Sequence, residues 1–488
     1  MSDDLFSERL KKLQALESAG IPPFAYNFEP SEKVKLLKDK FSNLEDASNS
    51  GHKTTLAGRL MALRRHGKAS FGDLQDDSGR IQLFLSLDNL KEERYELFLS
   101  LDIGDIVGVK GEVFKTRRGE LSVKVEDFEL LTKSLHPLPE KWHGLTDIEA
   151  RYRRRYVDLI MNPEAKKIFE TRSKAIRSIR SFLEKRDFVE VDTPILQQLP
   201  GGATARPFTT FHNALDTDLY LRVAPELFLK RLLVGGYEKV FELGRMFRNE
   251  GLSVKHNPEF TMLEAYQAYG DYKTMMELTE ELLREVTKEA TGSAKVTYQE
   301  KEIDFGKTFP QMTMLDSVKK HTGKKLDFSM SLEDFRKTAK ELGVEFEKHF
   351  GKGKILAEIF EKHVEDKLFQ PTFITDFPKE ISPLAKESRT DPEVTERFEL
   401  IVANREIANA FSELTDPIEQ RKRFEQQIKM EKEEEISKTI DDDFIKALEY
   451  GMPPAGGLGI GIDRFIMLIT DAASIRDVLL FPHLRPKE

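Results

Sequence analysis

The sequence predicts an α+β multidomain chain: a small N-terminal barrel of five β-strands, then a larger domain of alternating helices and strands. Between Thr54 and Leu131 five short strand-like runs follow one another, TTLAGRLMAL, ASFGDLQDD, GRIQLFLSL, DIVGVKGEVF and ELSVKVEDFELL, separated by Gly, Asp and Ser turn clusters. The stretch HPLPEKWHG at 136–144, with two prolines and the only tryptophan, reads as an interdomain linker. At 488 residues the chain has the length for about two to four domains and for at least one large core.

Residues 1–50 read as a helical appendage, in which SERLKKLQAL sets Leu10, Leu13 and Leu16 along one side before Gly20 and Pro22–Pro23 break the helix. Residues 51–135 are the barrel, of the size and strand number of an oligonucleotide-binding (OB) fold, and 136–150 the linker. The larger domain, 151–488, opens with RYRRRY at 151–156, either a solvated helical face or a local basic surface. A helix over Ala165–Lys185 carries Ile168, Phe169, Ile176, Ile179 and Phe182 on its apolar side, and FVEVDTPIL reads as a strand stopped by Pro194. Residues about 291–390 read as an inserted region of Lys- and Glu-rich helices ending in the apolar strand PTFITDF. Asp416, Pro417 and Glu419 fit the N-cap, N1 and N3 positions of a helix that carries the charge run EKEEE at 431–435.

Composition excludes several classes. There is no cysteine, hence no disulfide and no thiolate zinc site, and the ten histidines show no HExxH-type spacing, so any metal is expected on oxygen ligands. A net charge of −9 argues against nucleic-acid binding by bulk attraction. The start MSDDLFSERL is acidic where a secretory signal is basic and apolar, and no apolar run approaches the roughly 18 residues of a membrane span, so a cytoplasmic protein is expected.

Three segments carry chemistry. In FRNEGLSVKHNPEFTMLE (247–264), Arg248 and Glu250 fall two apart, on one face if the segment is a strand, and Glu264 and Tyr266 repeat that parity on the returning strand. Arg248 suits an α-phosphate, because its planar fork matches two phosphate oxygens and stays charged; His256 adds a polyphosphate donor and Phe260 a flat surface for a purine. ERFELIVANREIANAFSEL reads as a hairpin turning at Ala403–Arg405, with Glu399 and Glu406 on neighbouring strands. A divalent cation such as Mg²⁺ would turn their repulsion into binding; the plain alternative is pairing with Arg397 or Arg405. Asn409, Phe411 and Glu413 share one face of that hairpin, and a regular strand sends Glu406 to the other, so a bulge or an irregular turn is required. In GGLGIGIDRFIMLIT a glycine-rich strand runs into a buried helix, whose Arg464 can reach a terminal phosphate. In the barrel, Arg64, Phe71 and Gln82 offer charge, stacking and a base-edge partner, or are a surface charge and core.

Together these segments resemble the class II aminoacyl-tRNA synthetases and, within them, the bacterial-type lysyl-tRNA synthetases, over nearly the whole chain. FVEVDTPIL, FRNEG through FTMLE, and GLGIGIDR are similar to the three class II motifs; PGGATARPF, LRVAPELFLKR and NREIANAFSEL are closer still to the lysine enzymes. The resemblance implies a catalytic domain on an antiparallel sheet flanked by helices, behind an anticodon-reading OB-fold. It implies ATP contacts at Arg248, Glu250, His256, Asn257, Phe260, Glu399 and Arg464, with Arg248 on the α-phosphate and Arg464 on the γ-phosphate as the catalytic pair, and Mg²⁺ at Glu399 and Glu406. It further implies lysine contacts at Gly202, Glu226, Glu264, Tyr266, Asn409, Phe411 and Glu413, anticodon contacts at Arg64, Phe71 and Gln82, and a homodimer that charges tRNA(Lys) with L-lysine.

Asp187 stands where many relatives have glycine, and Ala410 replaces the glycine of an Asn-Gly-Phe step, which matters if that residue needs positive φ. The rival substrates are aspartate, which the acids at Glu264 and Glu413 oppose, and asparagine, which charge alone does not reject. A non-catalytic nucleic-acid-binding protein would have no use for Arg248, Glu399, Glu406 and Arg464 together.

Overall fold

A computed structural model describes residues 2–139, 147–203, 205–430 and 440–486. The chain divides into two compact units, Met1–Leu145 and Thr146–Glu488. Part of the expected linker, 140–146, and the run EKEEE lie outside the described residues.

In the first unit the strands β1 (Asn49–His66), β2 (Ala69–Gln75), β3 (Arg80–Ser86), β4 (Ile106–Lys115) and β5 (Leu121–Thr132) close a barrel in the order β1-β2-β3-β5-β4. Alternation of apolar residues fills it: Leu60, Leu74, Ile81, Leu83, Val107, Val109, Val123 and Val125 point inward. Closure leaves no open sheet edge. The helix Leu87–Ser100 joins β3 to β4 and buries Leu90, Tyr95, Phe98 and Leu99; the sequence reading missed it. In the N-terminal helix Ser2–Ser18, Leu13 and Leu16 are buried but Leu10 is 37 % exposed, correcting the expected stripe. A spacing of three residues drifts around a 3.6-residue helix, and Arg9 takes the inner position instead, donating to the carbonyls of Ile103, Ser134 and His136.

The second unit is built on one eight-stranded sheet. Its strands are β6 (Val189–Glu190), β10 (Lys239–Phe247), β11 (Glu259–Ala268), β14 (Gln311–Thr313), β15 (Thr372–Pro378), β16 (Val394–Ile401), β17 (Glu406–Ser412) and β18 (Ala455–Gly461). Between them in the chain come β7 (Leu196–Gln197), β8 (Phe208–His212) and β9 (Thr217–Leu221), which form a small sheet, and the hairpin β12 (Lys295–Tyr298) and β13 (Lys301–Asp304). The order is β14-β15-β16-β17-β18-β11-β10-β6, antiparallel except for the outermost pair at each end. The helices Pro163–Glu184, Tyr272–Thr291 and Ile462–Ile469 bury their apolar stripes in the core that contains Leu263, Ala265, Leu400, Leu458 and Ile460. Pro163 starts the first of these at N1, where a missing N–H costs nothing.

Three expectations change here. FVEVDTPIL is strand at Val189–Glu190 and again only at its last residue, Leu196, which opens β7; between them the backbone N–H and hydroxyl of Thr193 turn to the Glu242 carboxylate and Pro194 has no N–H to offer. The stretch 291–390 is helical only in its middle, at Met314–Thr322, Leu332–Glu341 and Lys352–His363; PTFITDF enters the main sheet as β15 beside β16. RYRRRY is a solvated face only at Arg154 and Tyr156: Arg155 is buried and donates to Asp158 and to the carbonyls of Arg476, Leu479 and Leu480, while Arg151 and Arg153 pair with Asp158 and Glu149. Asp416 does cap its helix, accepting from the N–H groups of Ile418 and Glu419.

Candidate active site

A cavity of about 460 Å³ opens on the antiparallel strands β11, β17 and β18 and brings together most of the residues singled out in the sequence. The first motif segment folds as strand, loop and strand: β10 ends at Phe247, and the loop closes where the Arg248 N–H donates to the Pro258 carbonyl over 2.8 Å. The register Phe247↔Glu259 brings Glu264 and Tyr266 onto the central strand, with the Tyr266 hydroxyl donating to Glu264 Oε2 over 2.9 Å.

One end of the cavity is cationic. Arg248 lies 5.1 Å from the centre of the Phe260 ring, and its buried Nε has no hydrogen-bond partner. Such an unpaired donor is costly unless a ligand oxygen takes it. Burial lowers the Arg248 pKa, yet a guanidinium keeps its charge. Arg464, in the first turn of its helix, donates to the Glu406 carbonyl over 3.0 Å and lies 3.1 Å from His256 Nε2. An arginine can only donate, so His256 accepts there; the partial desolvation of its ring and the nearby Arg464 charge lower its pKa, which keeps the imidazole neutral near pH 7. His256 and Glu250 are exposed, whereas Asn257 is buried, donating to the Glu259 carbonyl and accepting from the His483 N–H. Its amide shapes the loop.

The bulge demanded by strand parity exists. Register shifts from Leu400↔Ala408 to Ile401↔Glu406, leaving Ile407 unopposed, and the turn takes positive φ at Ala403 and Asn404. Both carboxylates thereby reach the same region. The Glu399 pKa is pushed up to about 7 by burial and then by the charge of Glu406, even though Arg397 lies 2.6 Å away. The plain alternative is half right: Arg397 pairs with Glu399, while Arg405 turns to the Tyr298 hydroxyl and Glu406 meets Arg464 at 3.4 Å.

The other end is acidic and sealed. Glu226 begins the helix Glu226–Val234, Glu264 lies on β11, and Glu413 follows β17; all three are buried. Burial first, then the charge of Glu226, raises Glu264 to about 8. Glu413 also rises to about 8, through burial and Glu226 against the opposing pull of Lys230. Gly457 makes room: a Cβ there would fall inside the contact radius of Glu413 Oε1 and of Tyr266. Gly202 has a φ of +87°, and an added Cβ would press on Glu226 and Ala224 at 3.0 and 3.1 Å. Phe411 and Asn409 line the wall, the latter's Oδ1 accepting from Arg397. Glu399 and Glu413 stand behind the lining rather than in it.

The sequence reading missed Lys230. Fully buried, it pairs with Glu226 at 2.6 Å and also with Glu413; its only sequence signal is the i,i+4 spacing from Glu226. Of the two departures, Ala410 has ordinary backbone and sits in the sheet opposite Phe398, whereas Asp187 does adopt positive φ, at 65°.

On the barrel, Arg64 pairs across the strands with Phe71, and the outward rings of Phe71, Phe84 and Phe114 follow one another at 5.4 and 5.8 Å. Phe71 is therefore surface, not core. Gln82 Oε1 accepts from Ser122, and Arg64 pairs with Asp73 at 2.8 Å. Phe84 and Phe114 were missed; strand alternation from Phe71 and Gln82 was the available signal.

This sheet, this pocket and a preceding closed barrel define a class II synthetase. Residues 147–485 match the family model for tRNA synthetases class II (D, K and N), and 54–131 that for an OB-fold nucleic acid binding domain. The chain is 57 % identical to a lysine–tRNA ligase of Moorella thermoacetica over 487 residues, covering 100 % of this chain and 99 % of that one. Lysine–tRNA ligases of Pelotomaculum thermopropionicum (55 %, covering 100 % and 96 %) and Syntrophomonas wolfei (54 %, covering 99 % and 97 %) are similar along their length. The chain belongs to the class II tRNA synthetases of the D, K and N group and, within it, to the lysine–tRNA ligases.

Proposed function

We propose that this chain activates L-lysine with ATP and transfers the lysyl group to the 3′ end of tRNA(Lys), using the single cavity described above. The observation that carries this reading is the polarity of that cavity: guanidinium groups of Arg248 and Arg464 at one end, and the buried acids Glu226 and Glu264 at the other, with Glu413 buried behind them. Glu226 beside Gly202 suits the α-ammonium, and Glu264, Tyr266 and Glu413 the side-chain ammonium. A neutral or anionic side chain would leave those acids uncompensated.

In the first step a lysine carboxylate oxygen bonds to the α-phosphorus of ATP and the bond to the β-phosphate oxygen breaks, giving lysyl-adenylate and pyrophosphate. Arg248 neutralises charge on the transferring phosphorus, Phe260 holds the adenine, and His256 and Arg464 bind the outer phosphates. Groups already fixed in place need no reorganisation as charge develops. The donor set of Glu399 and Glu406, two repelling carboxylates on facing strands, fits Mg²⁺, which when bound offsets the triphosphate charge. In the second step the terminal tRNA hydroxyl attacks the activated carbonyl and AMP leaves. The outward rings of Phe71, Phe84 and Phe114, with Arg64 and Gln82, suit stacking and edge contacts to anticodon bases.

Two copies are expected to pair. β6 ends the sheet with two residues, and Val189, Ile195, Leu196, Phe211 and Leu215 on it and on the adjoining small sheet are exposed apolar side chains. Among the described residues no helix is long and apolar enough to cross a membrane; tRNA charging fits the cytoplasm. The test is ATP–pyrophosphate exchange with every standard amino acid. Lysine alone should support it, and exchange driven by asparagine or aspartate instead would refute the reading.

A further inference from the structure

Granting the lysine pocket proposed above, we propose that Lys230 is a specificity-determining positioning residue, whose ammonium sets both the charge of the pocket and the separation of the two acids that receive the substrate's amines. The helix Glu226–Val234 places Lys230 one turn beyond Glu226, and side chains on a helix lean toward its N-terminus, so the ammonium returns to the Glu226 carboxylate at 2.6 Å. From the other side it meets Glu413, which the chain brings in at the end of β17, and it lies 5.4 Å from the Phe411 ring centre. No part of the side chain reaches solvent.

A buried ammonium is retained only where its partners outweigh the cost of desolvation. Here burial opposes the charge, but Glu226 and Glu413 outweigh it and raise the Lys230 pKa. The groups facing this centre are Glu226 on the same helix, Glu264 and Tyr266 from β11, Glu413 after β17, and Arg248 after β10. Tyr266 stays neutral, its pKa raised by burial and by the acids around it. Once the acids are ionised around a bound substrate, three carboxylates against the two cations Lys230 and Arg248 leave one net negative charge, the complement of a lysine zwitterion with two ammonium groups and one carboxylate. Without Lys230 the pocket carries one negative charge too many, and the acids answer by holding protons that a cationic substrate must displace.

The geometry adds a second consequence. Glu226 and Glu413 come from separate elements, and Lys230 is the one side chain that pairs with both among the described ion pairs. The Glu413 oxygens have no well-directed hydrogen bond, so its position rests on this ion pair and on the space left by Gly457. Loss of the cation frees Glu413 to shift, and with it the depth at which a side-chain ammonium is received.

The experiment compares Lys230→Met, Lys230→Arg and Glu413→Gln in the full-length protein, with lysine and ATP KM values measured by pyrophosphate exchange across pH. Lys230→Met should raise KM for lysine at least about tenfold, with kcat and KM for ATP changed less than about threefold. It should also move the acid limb of the lysine KM profile to higher pH, and Lys230→Arg, which keeps the charge, should restore that limb. A role in folding alone would disturb both substrates and leave the limb in place. If Lys230→Met does not fold, Lys230→Gln, which keeps hydrogen-bond donors, carries the same test. Unchanged lysine KM and an unmoved limb in the Lys230 variants, while Glu413→Gln raises KM, would overturn the role of Lys230 alone. An unchanged lysine KM in Glu413→Gln would overturn the pocket reading beneath it.

Discussion

The two ends of the cavity solve opposite problems. At the proposed triphosphate end the polar and charged groups are partly open to solvent: His256 and Glu250 are exposed and Arg464 keeps a quarter of its side-chain surface. At the lysine end Glu226, Glu264, Glu413 and Lys230 are all buried. A nucleotide brings several charges and a large ring, so each contact can be individually modest. An amino acid must be told from close relatives by a few atoms, and only desolvated charges make a missing partner expensive. On the proposed reading, affinity falls to one end and selectivity to the other.

Arg248 belongs on that reading to both ends, because it lies beside Phe260 and also senses the charges of Glu264 and Glu406. Arg248→Ala should therefore break the comparison outright, lowering kcat/KM for exchange by about a thousandfold or more for either substrate. A loss confined to one substrate would show that the ends are independent at this residue.

Glu264→Gln cuts more selectively. It removes a sealed acid and touches the guanidinium end only through its charge on Arg248, so lysine kcat/KM should fall about a hundredfold while KM for ATP stays within about twofold. Steady-state exchange with each substrate varied in turn checks this; parallel losses would contradict the division of labour.

The pH dependence sharpens the same point. Glu264 and Glu413 each titrate near about 8 in the empty pocket, and a carboxylate receives an ammonium only when ionised. Lowering the pH through that range protonates them and should raise KM for lysine, by up to about tenfold per unit for each proton displaced. KM for ATP rests on guanidinium groups that do not titrate and should hold until Glu399, near about 7, takes up its proton. Lysine and ATP KM values measured from pH 6 to 9 should thus diverge first on the lysine side.

How much of this was legible in the sequence follows from distance along the chain. The proposed nucleotide end was readable because Arg248, His256 and Phe260 fall within one strand–loop–strand segment and Arg464 follows a glycine-rich strand, so residues close in the chain fold beside one another. Parity also required a bulge near Glu406, although only the coordinates locate it at Ile407. Lys230 was not legible, since half of its environment is Glu413 on a distant strand. RYRRRY failed for the same reason: the carbonyls that absorb Arg155 come from the C-terminal segment. In the barrel, turn clusters marked the strands, but the helix Leu87–Ser100, interrupted by the positive φ of Lys91, lacked a clean periodic stripe.

The smallest effect belongs to the open end. His256 holds its imidazole between Ser253 and Arg464 in an exposed loop, so its loss removes one solvent-screened contact and frees Arg464 to adjust. His256→Ala should raise KM for ATP only about threefold to tenfold, in line with about 1 kcal/mol for a neutral hydrogen bond, and leave lysine KM and its pH limb untouched. Exchange kinetics at saturating lysine measure the first and a lysine titration the second. A lysine effect here would mean that the outer loop closes over the buried acids as well, and selectivity would then depend on closure and not only on the charges sealed in the pocket.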